Sequence, residues 1–242
     1  MLTKQAIREL KWKYLTDHKL GRFPFPLENR IPNFKGAEIA ADQVTNMQAY
    51  RDAKVIKVNP DSPQLPIRAQ ILKDEKILLV PTPRLRAGFI MVKPNWVKHG
   101  EERKATSLSH IKSYGKEIAL TDIPEINLFI VGAVALHKDG RRIGKGEGYA
   151  DREYAIIREL GNPDIPIIST VHSAQLTDTD IPKDSFDLSV DWIATETELI
   201  RTHSPYAKPS GINWDLVTEE ELKIMPVLKE IRELKKKKGA GI

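Results

Sequence analysis

The chain has 242 residues, enough to bury the core of one large α/β domain, and carries 38 Lys and Arg against 33 Asp and Glu. The resulting charge of +5 suits an anionic small ligand and is too dilute to argue for nucleic acid by itself. Zero cysteines exclude a disulfide framework and cysteine-based zinc or redox chemistry; the start of the chain is charged rather than signal-like, and the longest apolar run, 126–136, is about half of a membrane span, so a cytoplasmic, soluble protein is expected.

Thr3 is placed to cap a helix whose apolar face is Ile7, Leu10, Tyr14 and Leu15, with Lys4, Arg8 and Lys11 sharing another face. That cationic spacing ordinarily means a solvated face, although a polyphosphate could lie along it. Between Gly21 and Gly36, Pro24, Pro26 and Pro32 alternate with Phe23, Phe25, Ile31 and Phe34, which reads as an extended, packed connector. Residues 37–53 predict a second amphipathic helix with Ala40, Val44, Met47 and Tyr50 on one side. A strand over 54–59, a short helix over 67–74 and a strand over 76–80 then alternate as in a parallel sheet. Pro81-Thr82-Pro83-Arg84-Leu85-Arg86 follows the C-terminal end of a strand, the edge where open α/β sheets place ligands. Arg84 is therefore a candidate binding residue, against the alternative of an exposed arginine in a Pro-fixed turn. Residues 87–92 read as one more strand, and 93–120 as a lid or a small helical insertion.

The stretch 139–152, Asp-Gly-Arg-Arg-Ile-Gly-Lys-Gly-Glu-Gly-Tyr-Ala-Asp-Arg, lies between the apolar run 126–136 and a helix carrying Tyr154, Ile157 and Leu160, which Gly161 and Pro163 end. Glycines remove Cβ atoms from a loop that also carries Arg141, Arg142 and Lys145, so backbone N–H groups and cations can converge on one anion at a helix N-terminus. A P-loop is excluded because Gly140 to Gly144 is one residue too short, with Gly146 where the hydroxyl belongs, and the dinucleotide fingerprint fails because Gly144 to Gly148 reads G-x-G-x-G. A flexible basic turn would explain the glycines but not their tight alternation between a buried strand and a capped helix.

Further on, a strand over 165–171 runs into His172-Ser173-Ala174-Gln175, with no G-x-S-x-G elbow and no third partner to make Ser173 a nucleophile. The histidines form no ligand pair of the kind transition metals require. Asp151, behind the loop, and Asp187, ahead of a strand over 188–194, are the hard-oxygen candidates for Mg²⁺, against a helix-dipole carboxylate and a turn residue respectively. Near the end, Thr218 and Glu221 form a capping box before Leu222, Met225, Leu228 and Ile231, and Pro226 marks a kink or a true helix start. The run Lys235 to Lys238 reads as a solubilising tail, with an RNA contact the less favoured alternative for want of aromatic interleaving.

Arg142-Ile143-Gly144-Lys145-Gly146-Glu147-Gly148-Tyr149-Ala150-Asp151 resembles the R-[LI]-G-x-G-x-G-Y-Y-D loop of the 5-formyltetrahydrofolate cyclo-ligase family, also called methenyltetrahydrofolate synthetases. Lys4-Gln5-Ala6-Ile7-Arg8 is similar to that family's N-terminal K-x-x-[LI]-R, and Asp187 to Asp191 followed by Ile193 to Glu196 to its C-terminal acidic motif. The branch of methenyltetrahydrofolate synthetase domain-containing proteins matches further, at 30–36 and 81–86. The resemblance implies a single α/β domain over 1–205, with a mostly parallel central sheet flanked by helices; a C-terminal helical extension with the Lys-rich tail follows over 206–242. It also implies ATP and Mg²⁺ as cofactors and a folate or pterin as small-molecule partner. In the family ATP phosphorylates the formyl oxygen of 5-formyltetrahydrofolate, the neighbouring amine attacks the activated carbon, and phosphate leaves to give 5,10-methenyltetrahydrofolate.

Carried onto this sequence, the resemblance implies ATP contacts at Lys4, Arg8, Arg142, Ile143, Gly144, Lys145, Gly146, Glu147, Gly148 and Tyr149, with Arg142 and Lys145 catalytic. It implies substrate contacts at Tyr149, Gln175 and Arg84, and metal ligation by Asp151 and Asp187. Phosphoryl transfer fits such residues because it needs positioning and charge neutralisation more than covalent help. Two departures stand out: after strand 54–59, Asp61-Ser62-Pro63-Gln64 offers no clear counterpart of the family's folate-binding glutamate, and Glu147 puts a carboxylate inside the loop, where Ala150 also replaces a tyrosine. The alternative is a non-catalytic nucleotide- or RNA-binding regulatory protein on a cyclo-ligase scaffold.

Overall fold

A computed structural model describes residues 2–239. Its helices are α1 (Lys4–Asp17), α2 (Ala37–Thr45), α3 (Gln48–Asp52), α4 (Leu65–Lys73), α5 (Glu102–Ala105), α6 (Ile111–Tyr114), α7 (Tyr149–Glu159), α8 (Glu219–Ile224) and α9 (Pro226–Gly239). The strands are β1 (Val55–Val58), β2 (Ile77–Pro81), β3 (Phe89–Val92), β4 (Lys116–Ile118), β5 (Leu128–Val131), β6 (Ala135–Leu136), β7 (Arg142–Ile143), β8 (Ile167–Thr170), β9 (Trp192–Ala194) and β10 (Leu199–Arg201). Eight of them form one sheet in the order β10-β9-β8-β5-β1-β2-β3-β4, and β6 pairs with β7 as a separate hairpin. From β9 to β2 all neighbours are parallel, while β10, β3 and β4 join antiparallel at the two edges. The sheet is thus mostly parallel, as expected, and its central strands are buried along their whole length because helices cover both faces.

Strand alternation sorts the core into two layers. Ile56, Val58, Leu128 and Ile130 face α2, α3 and α4, whereas Val55, Phe129 and Val131 face α7, α8 and α9. Lys57 falls on the α7 side with no exposed surface at all. The extension packs on the same layer through Leu222, Leu228 and Ile231, and Glu159 of α7 accepts from Ile212 N at 2.9 Å and from Trp214 Nε1 at 3.3 Å. Thr218 and Glu221 make the expected capping box, α9 begins at Pro226, and the lysine run continues that helix, with Lys235 paired to Glu159. Residues 240–242 of the extension lie outside the described residues.

Several element expectations change. The apolar face of α1 buries Ile7, Trp12 and Leu15, while Leu10 and Tyr14 are 56% and 46% exposed. The connector 21–36 decides this by folding back so that Leu27 and Ile31 cover Trp12, whose indole donates to Arg30 O at 3.0 Å. The helix expected over 37–53 is broken at Met47, which is extended so that it and Tyr50 enter the core. The run 126–136 divides into β5 and β6 at Gly132, where a Cβ would lie 2.5 Å from Ile31 Cγ2. Residues 93–120 hold the short α5 and α6 and end in edge strand β4. Among the described residues no helix is long and apolar enough to cross a membrane.

Candidate active site

The carboxyl ends of β1 and β2, the turn after β2, the connector and the loop between β7 and α7 enclose a cavity of about 680 Å³. Its upper rim is the glycine loop. Gly146 and Gly148 have φ of +109° and +69°, conformations that a Cβ would strain, and Gly148 occupies the N-cap of α7 without a side-chain cap. The loop therefore presents backbone N–H groups at a helix N-terminus, as an anion cradle requires.

Three cations converge there, and a fourth expected one, Lys4, does not. Arg8 lies behind the loop, its Nε donating to Gly144 O at 2.7 Å and its guanidinium 3.5 Å from where a Gly146 Cβ would sit. Ile7 fixes that approach by packing with Ala135, Ile143 and Ile181. Burial pulls Arg8 below the usual guanidinium range, against the attraction of Asp187 and with the repulsion of Arg142. Arg142 is buried, donates to Asp151 Oδ1 at 2.7 Å and to Gly132 O at 3.3 Å, and keeps a buried Nε with no partner among the described residues. Lys145 is held by Glu147 at 2.9 Å and lies 3.9 Å from Asp61; burial opposes its charge, but these two carboxylates raise its pKa. Lys4 instead reaches Asp187 at 2.6 Å and Asp184 at 2.7 Å, which together outweigh the opposing effect of burial.

The floor is acidic and was missed by sequence reasoning. Glu153, one turn along α7 from Tyr149, faces the cavity and pairs with Lys57, whose Nζ also donates to Asn59 Oδ1 at 2.8 Å and lies 3.9 Å from the Phe129 ring centre. Asp61 stands beside it on the cavity wall. Burial pushes the Glu153 and Asp61 carboxyls up and the Lys57 ammonium down, each restrained by the opposite charges nearby. A lysine in the middle of a strand that is otherwise Val and Ile was the signal available: such a charge must find a partner inside.

Of the expected residues, Arg84, Arg142, Gly144, Lys145, Glu147, Gly148, Tyr149 and Asp151 line the cavity. Arg84 sits at φ +54° and Leu85 at φ +53°, a strained turn that carries the arginine at the mouth. Gln175 is fully buried and spends its amide on Ala133 O and Val134 O, so it braces the turn behind the loop and does not face the cavity. Ile143 is likewise buried. Asp151 uses Oδ1 for both Arg142 and Leu188 N, and Asp187 uses Oδ2 for both Lys4 and Asp184 N, which leaves one oxygen on each without a hydrogen-bond partner among the described residues. Asp151 lines the cavity and Asp187 does not, and among the described residues no three His, Asp or Glu side chains converge as a metal site, so the two carboxylates suit Mg²⁺ only as part of a shell completed from water and phosphate. Ser173 Oγ donates a hydrogen bond to Glu196, and His172 Nδ1 accepts from Ala174 N, a local cap rather than a nucleophile–base pair.

The profile of the 5-formyltetrahydrofolate cyclo-ligase family matches residues 3–196. The chain belongs to this family. Within it, the chain is 40% identical over 248 residues to methenyltetrahydrofolate synthase domain-containing proteins of Mus musculus and of Bos taurus. Those alignments cover 100% of this chain and 66% and 65% of the relatives, so the chain spans just under two thirds of their length. The solved structure of Aquifex aeolicus 5,10-methenyltetrahydrofolate synthetase shares the cyclo-ligase fold, with a TM-score of 0.52 at 17% identity over 85% of this chain and 96% of that one. The family match ends before the extension, whose α8 and α9 are additions to the cyclo-ligase sheet.

Proposed function

We propose that this cyclo-ligase family member is an ATP- and Mg²⁺-dependent enzyme that converts 5-formyltetrahydrofolate, or a related formylated pterin, to 5,10-methenyltetrahydrofolate, ADP and phosphate. The observation that carries this reading is one cavity with a cationic, glycine-built rim above a carboxylate floor, sized for a pterin-like ligand. Arg142 and Lys145 neutralise charge on the transferring phosphoryl group, Arg8 and the loop N–H groups hold the phosphates, and Lys4 joins them by leaving its carboxylates. Mg²⁺ held by Asp151 and Asp187 would supply further neutralisation of the phosphate oxygens. Tyr149 and Arg84 position the formylated substrate, and Asp61 and Glu153 face its hydrogen-bond donors.

The test is the appearance of methenyltetrahydrofolate absorbance from 5-formyltetrahydrofolate and Mg-ATP, together with a melting-temperature rise on Mg-ATP that Lys145→Ala removes. No rise at millimolar Mg-ATP would sink the nucleotide site. A second reading, nucleotide binding without turnover, draws on the pairing of Lys145 with Glu147, which neutralises the loop's own lysine. Binding without absorbance change would select it. Any RNA contact would rest on Lys235 to Lys238 and the basic face of the N-terminal helix and be weak and steeply salt-dependent.

A further inference from the structure

The carboxylates that line the cavity are those of Glu28, Asp61, Glu147, Asp151 and Glu153. Glu153 is held by the buried Lys57, Asp151 by Arg142 and Leu188 N, and Glu147 by Lys145, while Glu28 is exposed on the connector. Asp61 differs. It occupies the N-cap of the 3₁₀ turn Ser62–Gln64, where an aspartate ordinarily bends back to cap the first amides, yet its side chain makes no such hydrogen bond. The carboxylate is mostly buried and turned to the cavity instead.

Its backbone is held firmly. Arg68 of α4, itself buried, donates from Nη1 to Asn59 O at 2.6 Å and Asp61 O at 2.9 Å and from Nε to Thr106 O at 3.0 Å, and Pro60 and Pro63 restrict the chain on either side. The group is thus pre-positioned before any ligand arrives. The charges around it are Lys145 from the glycine loop at 3.9 Å, Arg68 from α4, Lys57 from β1 and Glu153 from α7. At 3.9 Å Lys145 is too far for a direct hydrogen bond and does not tie the carboxylate up. Burial raises the Asp61 carboxyl above the ordinary range, and a base raised toward neutrality is the efficient kind near pH 7.

We propose that Asp61 carries the one proton that ring closure has to move. The inference rests on the cyclo-ligase reading above. Once the formyl oxygen bears the phosphoryl group, the lone pair of the neighbouring amine forms the new N–C bond at the formyl carbon, and the amine proton passes to the Asp61 carboxylate. The C–O bond then breaks with its electron pair going to the phosphate oxygen, the other ring nitrogen completes the amidinium of the product, and Asp61 returns its proton to the departing phosphate. Protons and electrons balance without an outside base. One side chain serves both transfers because amine and phosphate flank the same carbon, and Asp61 stands beside the lysine that neutralises the phosphoryl group. Glu147 also reaches Lys145, but it is half-exposed at the rim, where a captured proton exchanges with water.

The test is rapid-quench turnover of 5-formyltetrahydrofolate with Mg-ATP, following ADP and methenyltetrahydrofolate separately. In Asp61→Asn methenyl formation is expected to fall about 10²-fold or more, while one ADP per protein still appears. Mg-ATP affinity by calorimetry should stay unchanged in that variant. The wild-type kcat should fall as pH drops and the carboxylate is protonated, an acid limb expected to vanish in Asp61→Asn. Added formate should restore part of the methenyl rate in Asp61→Ala, a recovery that a merely structural role would not give. A methenyl rate in Asp61→Asn close to wild type, ADP and methenyl lost in parallel, a raised KM with unchanged kcat, or no rescue by formate would overturn the proposal and leave the cyclo-ligase reading standing. No methenyl product from the wild type would overturn both.

Discussion

Lys57–Glu153 and Lys145–Glu147 are the same pair of residue types at the floor and the rim of one cavity, and they differ in burial. The floor pair has essentially no exposed surface and sits between the central strand and α7, whereas the rim glutamate is 48% exposed on its side chain. Desolvation makes a buried pair costly to form and far costlier to halve, since removing one partner strands an uncompensated charge in a low dielectric. At the rim, solvent screens both charges and the net attraction is small. The floor pair is therefore a fixed structural member. Under the proposed function the rim pair would be weak enough for Lys145 to exchange Glu147 for a phosphate oxygen.

The sharpest way to break the comparison is Lys57→Met, which leaves Glu153 buried without its cation. A loss of about 3–5 kcal/mol in urea unfolding is expected, with much of it recovered when Glu153→Leu is added, because replacing both ends removes the stranded charge. A loss under about 1 kcal/mol for the single variant would mean that the floor is wetter than its burial indicates. The loop itself comes next. Gly146→Ala forces a side chain into a backbone conformation at φ +109° and should cost about 1–3 kcal/mol, although the Cβ has room at 3.5 Å from Arg8. A neutral result would show that the loop relaxes to a conformation open to other residues.

A third expectation concerns acid. Burial works against the charge of Glu159, but Lys235, Ile212 N and Trp214 Nε1 together hold its carboxyl below the ordinary range. A carboxyl depressed in the folded state contributes stability that is present above its unfolded pKa, near 4.5, and is lost as pH falls through the folded value. Glu159→Gln should accordingly lower stability at pH 7 and flatten the acid limb of the melting curve; an acid limb identical to wild type would dissociate Glu159 from the docking of the extension. The smallest effect belongs to the rim: Glu147→Gly should change stability by only about 0.2–1 kcal/mol. It should also tighten Mg-ATP binding, measured by titration, because Lys145 no longer has to leave a carboxylate. Weaker ATP binding in that variant would place Glu147 among the groups that hold the ligand.

What was legible in the sequence was local. The Thr3 cap, the capping box of Thr218 and Glu221, the β1–α4–β2 alternation and the glycine loop ahead of α7 all rest on contacts within a few residues, where spacing and residue type are sufficient. The cations of the cradle were legible for the same reason, because Arg142, Lys145 and the glycines are neighbours in the chain. The face of α1 was not: Leu10 and Tyr14 are as apolar as Trp12, and only the connector returning over Trp12 and Leu15 decides which stripe is buried.

Short-range periodicity, capping and glycine geometry in the sequence by itself determined alternating strands and helices, a glycine loop at a helix start and helices near the end of the chain, and the family resemblance supplied the mostly parallel sheet. Tertiary structure alone decided that Lys57 and Glu153, 96 residues apart, meet as a buried pair, and that Lys4 is drawn to Asp184 and Asp187. It also decided that Glu147 turns to Lys145 rather than to Arg141 or Arg152, which are taken by Asp139 and Glu221, and that the extension closes a second cavity behind the loop. The physical reason is common to all of these. A charge takes whichever partner the packed chain brings within reach, and no spacing rule along the sequence reports which one that will be.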